Sequence, residues 1–352
     1  MDAPSTAQQR IHSTWKVRTA AGEPFAVVRV RNLQSTVQAA QDAWGRDGKP
    51  QPLLVSAEIS LRDPFGDSSA SDKVAGDTVH YGTLSKAVIA SLERYQKPAG
   101  QSEGVNTLRG VLETIWSSLT GLAVNGTRSN VSSKDDKVVL DVSRIRTMSV
   151  TVTLPKASLL GSGASLTAIS SFGEDANSSE AGPTGPIIFG ISLRLHDLRI
   201  PTLIGVNSNE RLARQIVAFD IEIDKFDHAP DAYVALEALV VKTVEGTSFE
   251  TLEALGAHLV NRITTAFRPQ PEQTYSGPSG WQIKTFSQRG ISPLVMLLMT
   301  IYCSVKGNHK MINIQTNTEH SQGYPDERRA SWMSFYLTWS GGTSWAKVLF
   351  TN

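Results

Sequence analysis

Two stretches in different halves of the sequence carry residues that could do chemistry together. The first is the hexapeptide Asp77-Thr78-Val79-His80-Tyr81-Gly82, and the second runs from Gly205 to Arg211, with Glu245-Gly246 and Leu252-Glu253 downstream. A carboxylate offers two acceptor oxygens to neighbouring N–H donors, and a phenol can orient water and relay a proton. The two stretches therefore predict complementary parts of one active site. They also predict two related domains, each supplying what the other lacks.

Length, charge and cysteine content narrow the class of protein. The 352 residues are enough for two ordinary domains. A formal net charge of +1 gives no field that would steer the chain to nucleic acid or an anionic membrane, which favours a small-molecule or protein partner. The amino terminus lacks a basic segment followed by an apolar core, and the single Cys303 cannot form an internal disulfide, so we expect a cytoplasmic protein. The longest apolar run, Leu294 to Cys303, is too short for a membrane helix.

Metal and phosphate sites have no support in the sequence. The seven histidines form no HxH pair and no HExxH motif, and a phosphate-cradling GxxxxGK[ST] loop is absent from the sequence. We therefore expect neither a metal nor another cofactor.

Hydrophobic periodicity orders the first half of the chain. Leu53, Val55, Ala57, Ile59 and Leu61 alternate strictly with their neighbours, which is typical of a strand buried on one face. Leu84, Val88, Ile89 and Leu92 share one face of a helix. The predicted elements are strands at Phe25–Val30 and 53–61, helices from 83 and over Leu108–Leu119, and strands at Val138–Val142 and Met148–Leu154. The order is ββααββ over residues 20–160.

The second half repeats this order after a break. Residues 161–187 are rich in serine and glycine and predict an interdomain linker. The repeat covers residues 188–285, with strands at Ile188–Leu198 and Val217–Ile223 and helices at Tyr233–Val244 and Phe249–Ile263. After a possible strand start at 281–284 no alternating segment follows, so this domain is predicted to be incomplete at its end. Residues 286–352 form a tail with no assigned fold.

The ββααββ unit, the hexapeptide, Gly205-Val206 with Glu210-Arg211, and the Glu-Gly-x-x-Phe-x-x-Leu-Glu run from Glu245 to Glu253 resemble the dihydroneopterin aldolase family. The resemblance implies an α+β architecture, the tunnelling fold or T-fold, in which an antiparallel sheet carries two helices on one face. Here the unit is repeated twice. It also implies a homo-oligomer, because further copies would complete a barrel and cover exposed sheet edges.

The family's activity is a cofactor-free retro-aldol reaction of folate biosynthesis. It splits 7,8-dihydroneopterin into 6-hydroxymethyl-7,8-dihydropterin and glycolaldehyde, and the pterin ring serves as the electron sink. The implied partner is the small-molecule pterin substrate. Epimerase activity on the same side chain is a further possibility that the resemblance opens.

The resemblance assigns substrate-binding residues to both halves. Glu253 matches the glutamate that anchors the pterin, whose amino group and adjacent ring N–H a carboxylate can bind bidentately. Leu252 beside it, and Val79 and His80 of the hexapeptide, are the other expected substrate contacts. Without the resemblance, Glu253 would be an ordinary solvated glutamate, and His80 is as well suited to capping a helix as to binding.

Three residues match the family's catalytic positions. Tyr81 matches the tyrosine that one unit contributes to its neighbour's pocket. Glu210 matches a glutamate that contacts substrate or handles protons, although it could equally be a loop carboxylate paired with Arg211. Lys156, in Leu154-Pro155-Lys156-Ala157, matches the lysine that deprotonates the hydroxyl through water, a role that a pKa lowered by burial would assist.

Each half departs from the family pattern. The first has Arg109 at the position of Glu253, and an arginine cannot accept the donors of a pterin. The second has both glutamates but no lysine beyond Lys284, which precedes the expected position, and Tyr233 occupies the place of Tyr81 without the preceding motif. The sequence predicts a pocket at a domain interface that lacks its usual base. A catalytically impaired pterin-binding or scaffolding paralogue stays open, as does a urate oxidase acting on a purine-like ring, against which the hexapeptide argues.

Overall fold

The computed structural model describes residues 11–96, 107–127, 138–173, 186–228 and 230–267, and beyond these the strands between 274 and 346 whose bounds follow. The first half contains β1 (Ile11–His12), α1 (Thr14–Ala21), β2 (Ala26–Val37), β3 (Gln51–Leu61), α2 (Gly66–Ser71), α3 (Tyr81–Gln96), α4 (Leu108–Thr120), β4 (Ile145–Leu154) and β5 (Gly163–Phe172). A 3-10 turn at Val142–Arg144 precedes β4.

The second half contains β6 (Pro186–Ile204), β7 (Gln215–Asp224), α5 (Tyr233–Glu245), β8 (Ser248–Phe249), α6 (Leu252–Ala266), β9 (Thr274–Ser276), β10 (Gln282–Lys284), β11 (Leu294–Val305), β12 (Asn308–Thr318), β13 (Trp332–Trp339) and β14 (Gly342–Ala346). A 3-10 turn, Glu210–Leu212, lies between β6 and β7.

One long sheet joins the two halves. Its strand order is β14-β13-β12-β11-β7-β6-β5-β4-β3-β2, and each neighbouring pair is antiparallel. From β2 onward the sheet follows the order of the chain: β2, β3, β4 and β5 of the first half are succeeded by β6, β7, β11 and β12 of the second half. We call β2–β5 with α3 and α4 the first unit, and β6, β7, β11 and β12 with α5 and α6 the second unit. The units meet edge to edge where β5 pairs with β6, from Gly163 opposite His196 to Phe172 opposite Pro186.

The core lies between the sheet and the helices, as the periodicity predicts. Alternate residues of β3 from Leu53 to Leu61 are buried, and nearly all of α4 is buried. In α3, Leu84, Val88 and Leu92 are buried, while Ile89, which the spacing placed on the same face, is 40% exposed. The hydrophobic effect of this contiguous apolar layer holds both units together. In the described parts of the chain no helix is long and apolar enough to cross a membrane.

The last two strands of the first unit lie later than predicted. The segment predicted as a strand at 138–142 is irregular and leads into the 3-10 turn, and the third strand is β4. The fourth strand is β5, which lies inside the predicted linker. Its sequence has no alternating pattern, because both of its faces are buried and small residues are mixed with the larger apolar Leu166, Ile169 and Phe172. The predicted linker is therefore wrong for 163–172, and 174–185 lie outside the described residues.

The second unit also continues past its predicted end. β11 pairs with β7 from Leu294 opposite Asp224 to Ile301 opposite Val217, and β12 pairs with β11. The expectation that the repeat stops after Lys284 is therefore wrong for the backbone. The run Leu294–Cys303 is apolar at almost every position, so it carries no period-two signal that would distinguish a strand.

A short amino-terminal helix, which the sequence did not predict, links the units. β1 pairs in parallel with β6, and α1 packs against β4, β5 and β6. The Asp224 carboxylate accepts hydrogen bonds from the backbone N–H and the hydroxyl of Thr14, at 3.0–3.1 Å. Gly190 lets this segment approach, since a Cβ there would lie 2.8 Å from the His12 carbonyl oxygen. The described structure thus includes residues 11–19, which precede the predicted domain start at 20.

Candidate functional site

The loop after β6 holds Glu210 in one orientation. The Glu210 carboxylate accepts hydrogen bonds from the backbone N–H of Asn207 at 3.1 Å and from its side-chain amide at 3.2 Å. These hydrogen bonds, the backbone one first, lower the pKa of Glu210. Gly205 has a φ of +145°, and a Cβ there would lie 2.5 Å from the Glu210 Cβ. The loop therefore requires glycine at 205 and keeps the carboxylate ionised.

The amino end of α6 places Glu253 beside this loop. β8 pairs in parallel with the end of β6, with Leu203 opposite Ser248 and Ile204 opposite Phe249. The Gly205 N–H donates to the Phe249 carbonyl at 3.3 Å. α6 begins three residues after Phe249, so both predicted acids of the second unit occupy neighbouring positions at one end of the sheet.

Glu253 and Leu252 have different surroundings at the start of α6. Leu252 is buried, and the Thr251 hydroxyl caps the helix by accepting from the Ala254 N–H at 3.3 Å. Glu253 is half-buried, with no hydrogen bond or ion pair to any residue in the described ranges. The first turn of a helix carries free N–H groups and a positive dipole end, so a carboxylate and a ligand acceptor can both be stabilised there.

The hexapeptide forms the entry to α3. The Asp77 carboxylate accepts hydrogen bonds from the N–H and hydroxyl of Ser68, and these lower its pKa. His80 Nδ1 accepts from the Thr83 N–H at 3.1 Å, so His80 caps α3 as its structural interpretation predicts. The Tyr81 ring stacks on the His80 ring at 5.3 Å and is 68% exposed, and Val79 packs partly against the core. The motif presents a phenol to solvent on a fixed helix start.

Tyr81 and Glu253 lie far apart along the sheet of a single chain. α3 packs on α4 and β2, whereas α6 packs on α5, β8, β11 and β12. β2 and β12 stand seven positions apart in the strand order, a path of roughly 34 Å at the usual strand spacing. The sequence predicts that Tyr81 and Glu253 meet at an interface between the domains. The β5–β6 joint does not bring these two residues together within one chain.

Lys156 lies at the joint between the units rather than near the two glutamates. It is exposed in the turn that follows β4. The same loop contacts the second unit, because the N–H groups of Leu159 and Leu160 donate to Glu237 Oε1 of α5 at 3.1 and 3.2 Å. Lys284 ends β10, which pairs with β9 in a separate two-stranded sheet.

The joint within the chain brings together the other pair of equivalent positions, Arg109 and Tyr233. Both line a small cavity between the start of α4 and the start of α5, with room for about one water molecule. The cavity is lined by Leu108, Arg109, Leu166, Leu193, Phe226, His228, Pro230, Asp231, Ala232 and Tyr233. Tyr233 is 1% exposed and its hydroxyl donates to the Gln41 carbonyl, so this tyrosine belongs to the core.

Charged groups around this cavity are buried and shifted in pKa. Arg109 pairs with Glu113 at 2.8 Å, with both side chains no more than 3% exposed. Burial raises the pKa of Asp227, against the opposing charge of Arg109, and burial raises the pKa of Asp231 to about 7. Burial, assisted by Arg109, lowers the pKa of His228 to about 4. The sequence analysis missed Asp227, His228 and Asp231; Asp231 stands one position ahead of Ala232, the N-cap residue of α5, so it gives no capping signal.

Solvent-exposed apolar side chains surround Glu210 in the loop between β6 and β7. Val206 is 67% exposed and Leu212 is 85% exposed, and Ile216 at the start of β7 is partly exposed as well. Exposed apolar groups beside polar ones mark surfaces that bind ligands or other proteins. Among the residues that the structure describes, no cluster of histidine, cysteine, aspartate or glutamate could hold a metal ion.

These features together define a tandem T-fold protein, with two units in one sheet. The solved structure of a highly active BTUO mutant is similar over 83% of this chain and 98% of that chain, at 9% identity and a TM-score of 0.52. Urate oxidase from Bacillus sp. TB-90 is 10% identical over 93% of this chain and 100% of that chain, with a TM-score of 0.48. At these identities the similarity concerns the fold alone.

Sequence comparison adds a family match within the second unit. Residues 193–274 match the family described as "FolB: Dihydroneopterin aldolase", which confirms the resemblance for the segment from β6 to β9. A Vibrio cholerae structure assigned provisionally as a dihydroneopterin aldolase (FolB) aligns with 42% of this chain and 99% of that chain, at 15% identity and a TM-score of 0.29. No curated protein sequence matches the chain.

Proposed function

We propose that the chain is a dihydroneopterin aldolase-type lyase whose pterin site belongs to the second unit. The observation that carries this proposal is the pairing of β8 with β6, which sets the Glu210 loop beside the amino end of α6. The match of residues 193–274 to the aldolase family covers both glutamates. Folate biosynthesis and a cytoplasmic location follow from the proposed activity as further predictions.

The roles of the two acids follow from their surroundings. Glu253 is free to accept the amino group and ring N–H of a pterin, and Leu252 supplies a buried apolar neighbour. Glu210 is held ionised by Asn207, so it suits an acceptor that orients the substrate side chain better than a proton donor. In the retro-aldol step the side-chain hydroxyl loses its proton and the carbon–carbon bond breaks to release glycolaldehyde. The electron pair is delocalised into the pterin ring, and the side-chain carbon bonded to the ring then takes up a proton to give the hydroxymethyl group.

The tyrosine of this site comes, in our proposal, from a second copy of the chain. Tyr81 is exposed at the start of α3, which packs on the edge strand β2, while Glu253 opens α6, which packs on β11 and β12 with β13 and β14 beyond them. The proposed contact between copies is head to tail and places the α3 start of one copy against the α6 start of the next. Val79 and His80 would accompany Tyr81. The exposed Val206 and Leu212 supply apolar surface for such a contact.

A second candidate function is a pterin-binding paralogue without turnover. The observation that favours it is the position of Lys156, which is exposed at the joint within the chain. The second unit then depends on another base. Lys306 follows Val305, the last residue of β11, in the sequence, and is a better candidate than Lys284 by its order along the chain. Epimerase activity would need the same base.

Incubation of the purified full chain with 7,8-dihydroneopterin, followed by chromatography with fluorescence detection, tests the two functions. A lyase forms 6-hydroxymethyl-7,8-dihydropterin, and Glu253→Gln abolishes both binding and product. The matched control is Glu250→Gln, which changes an exposed neighbour on the same side of the site and should leave both intact. Tight pterin binding without product would leave only the paralogue, and absence of binding would refute both.

Co-expression of two inactive variants tests the shared site. Tyr81→Ala and Glu253→Gln each remove one half of the site. If the halves come from different copies, mixed oligomers should regain about a quarter of the wild-type activity, because random assembly restores both residues at that fraction of boundaries. Activity that stays at the level of the single variants would place both residues in one chain.

A further inference from the structure

Asp231 makes its contacts across the joint between the units. It stands two residues before α5, whose N-cap position is occupied by Ala232, so it does not cap its own helix. Its carboxylate instead accepts hydrogen bonds from the Leu108 N–H and from the Gln41 N–H, both at 2.9 Å and both in the amino-terminal half of the chain. A second-unit carboxylate thus sits on first-unit donors.

The position of this carboxylate corresponds to that of a ligand. Leu108 opens α4, and its N–H is one of the free donors at a helix start, where acceptors and anions bind. In the second unit the corresponding residue is Leu252, which opens α6 beside Glu253. In the second unit the Leu252 N–H is the group that would face a heterocycle. In the first unit the corresponding Leu108 N–H already donates to Asp231.

The side chain at the anchoring position, Arg109, lines the cavity but is held in an ion pair. Arg109 bonds to Glu113 one turn along α4, at 2.8 and 3.0 Å, and Glu113 accepts from the Val124 N–H at 3.1 Å. The remaining space holds about one water molecule. Tyr233 is buried in the lining of the same cavity. The Leu108 N–H, Arg109 and Tyr233 are therefore all unavailable to a heterocyclic ligand.

We infer that the joint between the two units is a closed counterpart of the pterin site, with the Asp231 carboxylate in the place of the ligand's acceptor atoms. The inference rests on the proposed function for the identity of the open site, but the closure itself is a property of the free protein. It follows that each chain binds one heterocycle, at the second unit, and that the joint serves to lock the two units.

Hydrogen exchange of the wild-type chain, followed by nuclear magnetic resonance or mass spectrometry without ligand, tests the closure directly. The amides of Leu108 and Gln41 should exchange roughly 10–100-fold more slowly than the Leu252 amide, which opens the other helix. Rapid exchange at Leu108 that slows when 7,8-dihydroneopterin is added would show an open ligand site and overturn the inference. Because this measurement starts without ligand, it gives a result even if the protein binds no pterin.

An Asp231→Gly variant provides a second measurement. Protection at Leu108 should fall to the level of Leu252, and sodium formate should restore it, because formate can place a carboxylate on the same two donors. Sodium chloride at equal concentration is the salt control. The matched control variant is Glu237→Gly, which removes another carboxylate that bridges the units and should leave Leu108 protected. Undiminished protection of Leu108 in Asp231→Gly would refute the role of Asp231.

Discussion

Gly205→Ala should disable the Glu210 loop by a steric route that can be calculated. A Cβ at 205 would lie 2.5 Å from the Glu210 Cβ and 2.6 Å from its Oε2, so the glutamate must move by about 1 Å to restore ordinary van der Waals contact. The φ of +145° is also strained for alanine, at a cost of about 1–3 kcal/mol. We therefore expect the free energy of unfolding to fall by at least the strain of roughly 1–3 kcal/mol, because the displaced Glu210 also loses its hydrogen bonds to Asn207.

Urea unfolding and equilibrium binding of 7,8-dihydroneopterin measure the two consequences of Gly205→Ala. The matched control is Gly48→Ala, at a residue with a φ of +67° whose added Cβ meets nothing within 4 Å. The control should lose only about 1–2 kcal/mol, and it should bind normally. We expect Gly205→Ala to bind about 100-fold more weakly, since a displacement of this size is costly at a site. Equal stability and equal binding in the two variants would refute the steric argument.

The remaining predictions concern the buried groups at the joint and the two tyrosines. Arg109→Met should lower the free energy of unfolding by roughly 3–5 kcal/mol, because Glu113 is left as an unpaired buried charge. The double variant Arg109→Met with Glu113→Met should lose less than the single variant, and chemical unfolding of both measures the difference. The pKa of His228 is lowered to about 4, so between pH 6.5 and 4 the unfolded chain binds more protons than the folded chain and stability decreases as the pH is lowered. Thermal melting of His228→Gln should show a smaller loss of stability in acid. Tyr81→Phe should leave the unfolding free energy unchanged, while Tyr233→Phe should lower it by about 1 kcal/mol by removing the bond to the Gln41 carbonyl, as urea titration would show.

The sequence predicts most of the fold where burial affects one face of an element. β3 and β7 alternate because one side meets the helices, and α4 and α6 carry clear helical spacing. β5 and β11 were missed for opposite reasons. β5 is rich in small residues and buried on both faces, and β11 is apolar at almost every position, so neither carries the alternation that marks a strand.

The candidate site was predictable residue by residue but not in its arrangement. The capping role of His80 and the exposure of Tyr81 follow from a local motif at a helix start. The separation of Tyr81 from Glu253 depends on the strand order of the whole sheet, which no local pattern encodes. The contact between Asp231 and Leu108 spans 123 positions of the chain, and an aspartate before a helix gives no sign of so distant a partner.

The covalent joint at β5 and β6 has a consequence for symmetry. A ring of identical single-unit subunits must repeat every boundary, so a change at one boundary is a change at all of them. Two units on one chain have two kinds of boundary, and each can take its own substitutions. Arg109, Asp231 and the buried Tyr233 occur at the boundary inside the chain, while Glu210 and Glu253 occur in the unit beyond it. Tandem duplication thus lets one boundary specialise in cohesion and leaves the other for chemistry.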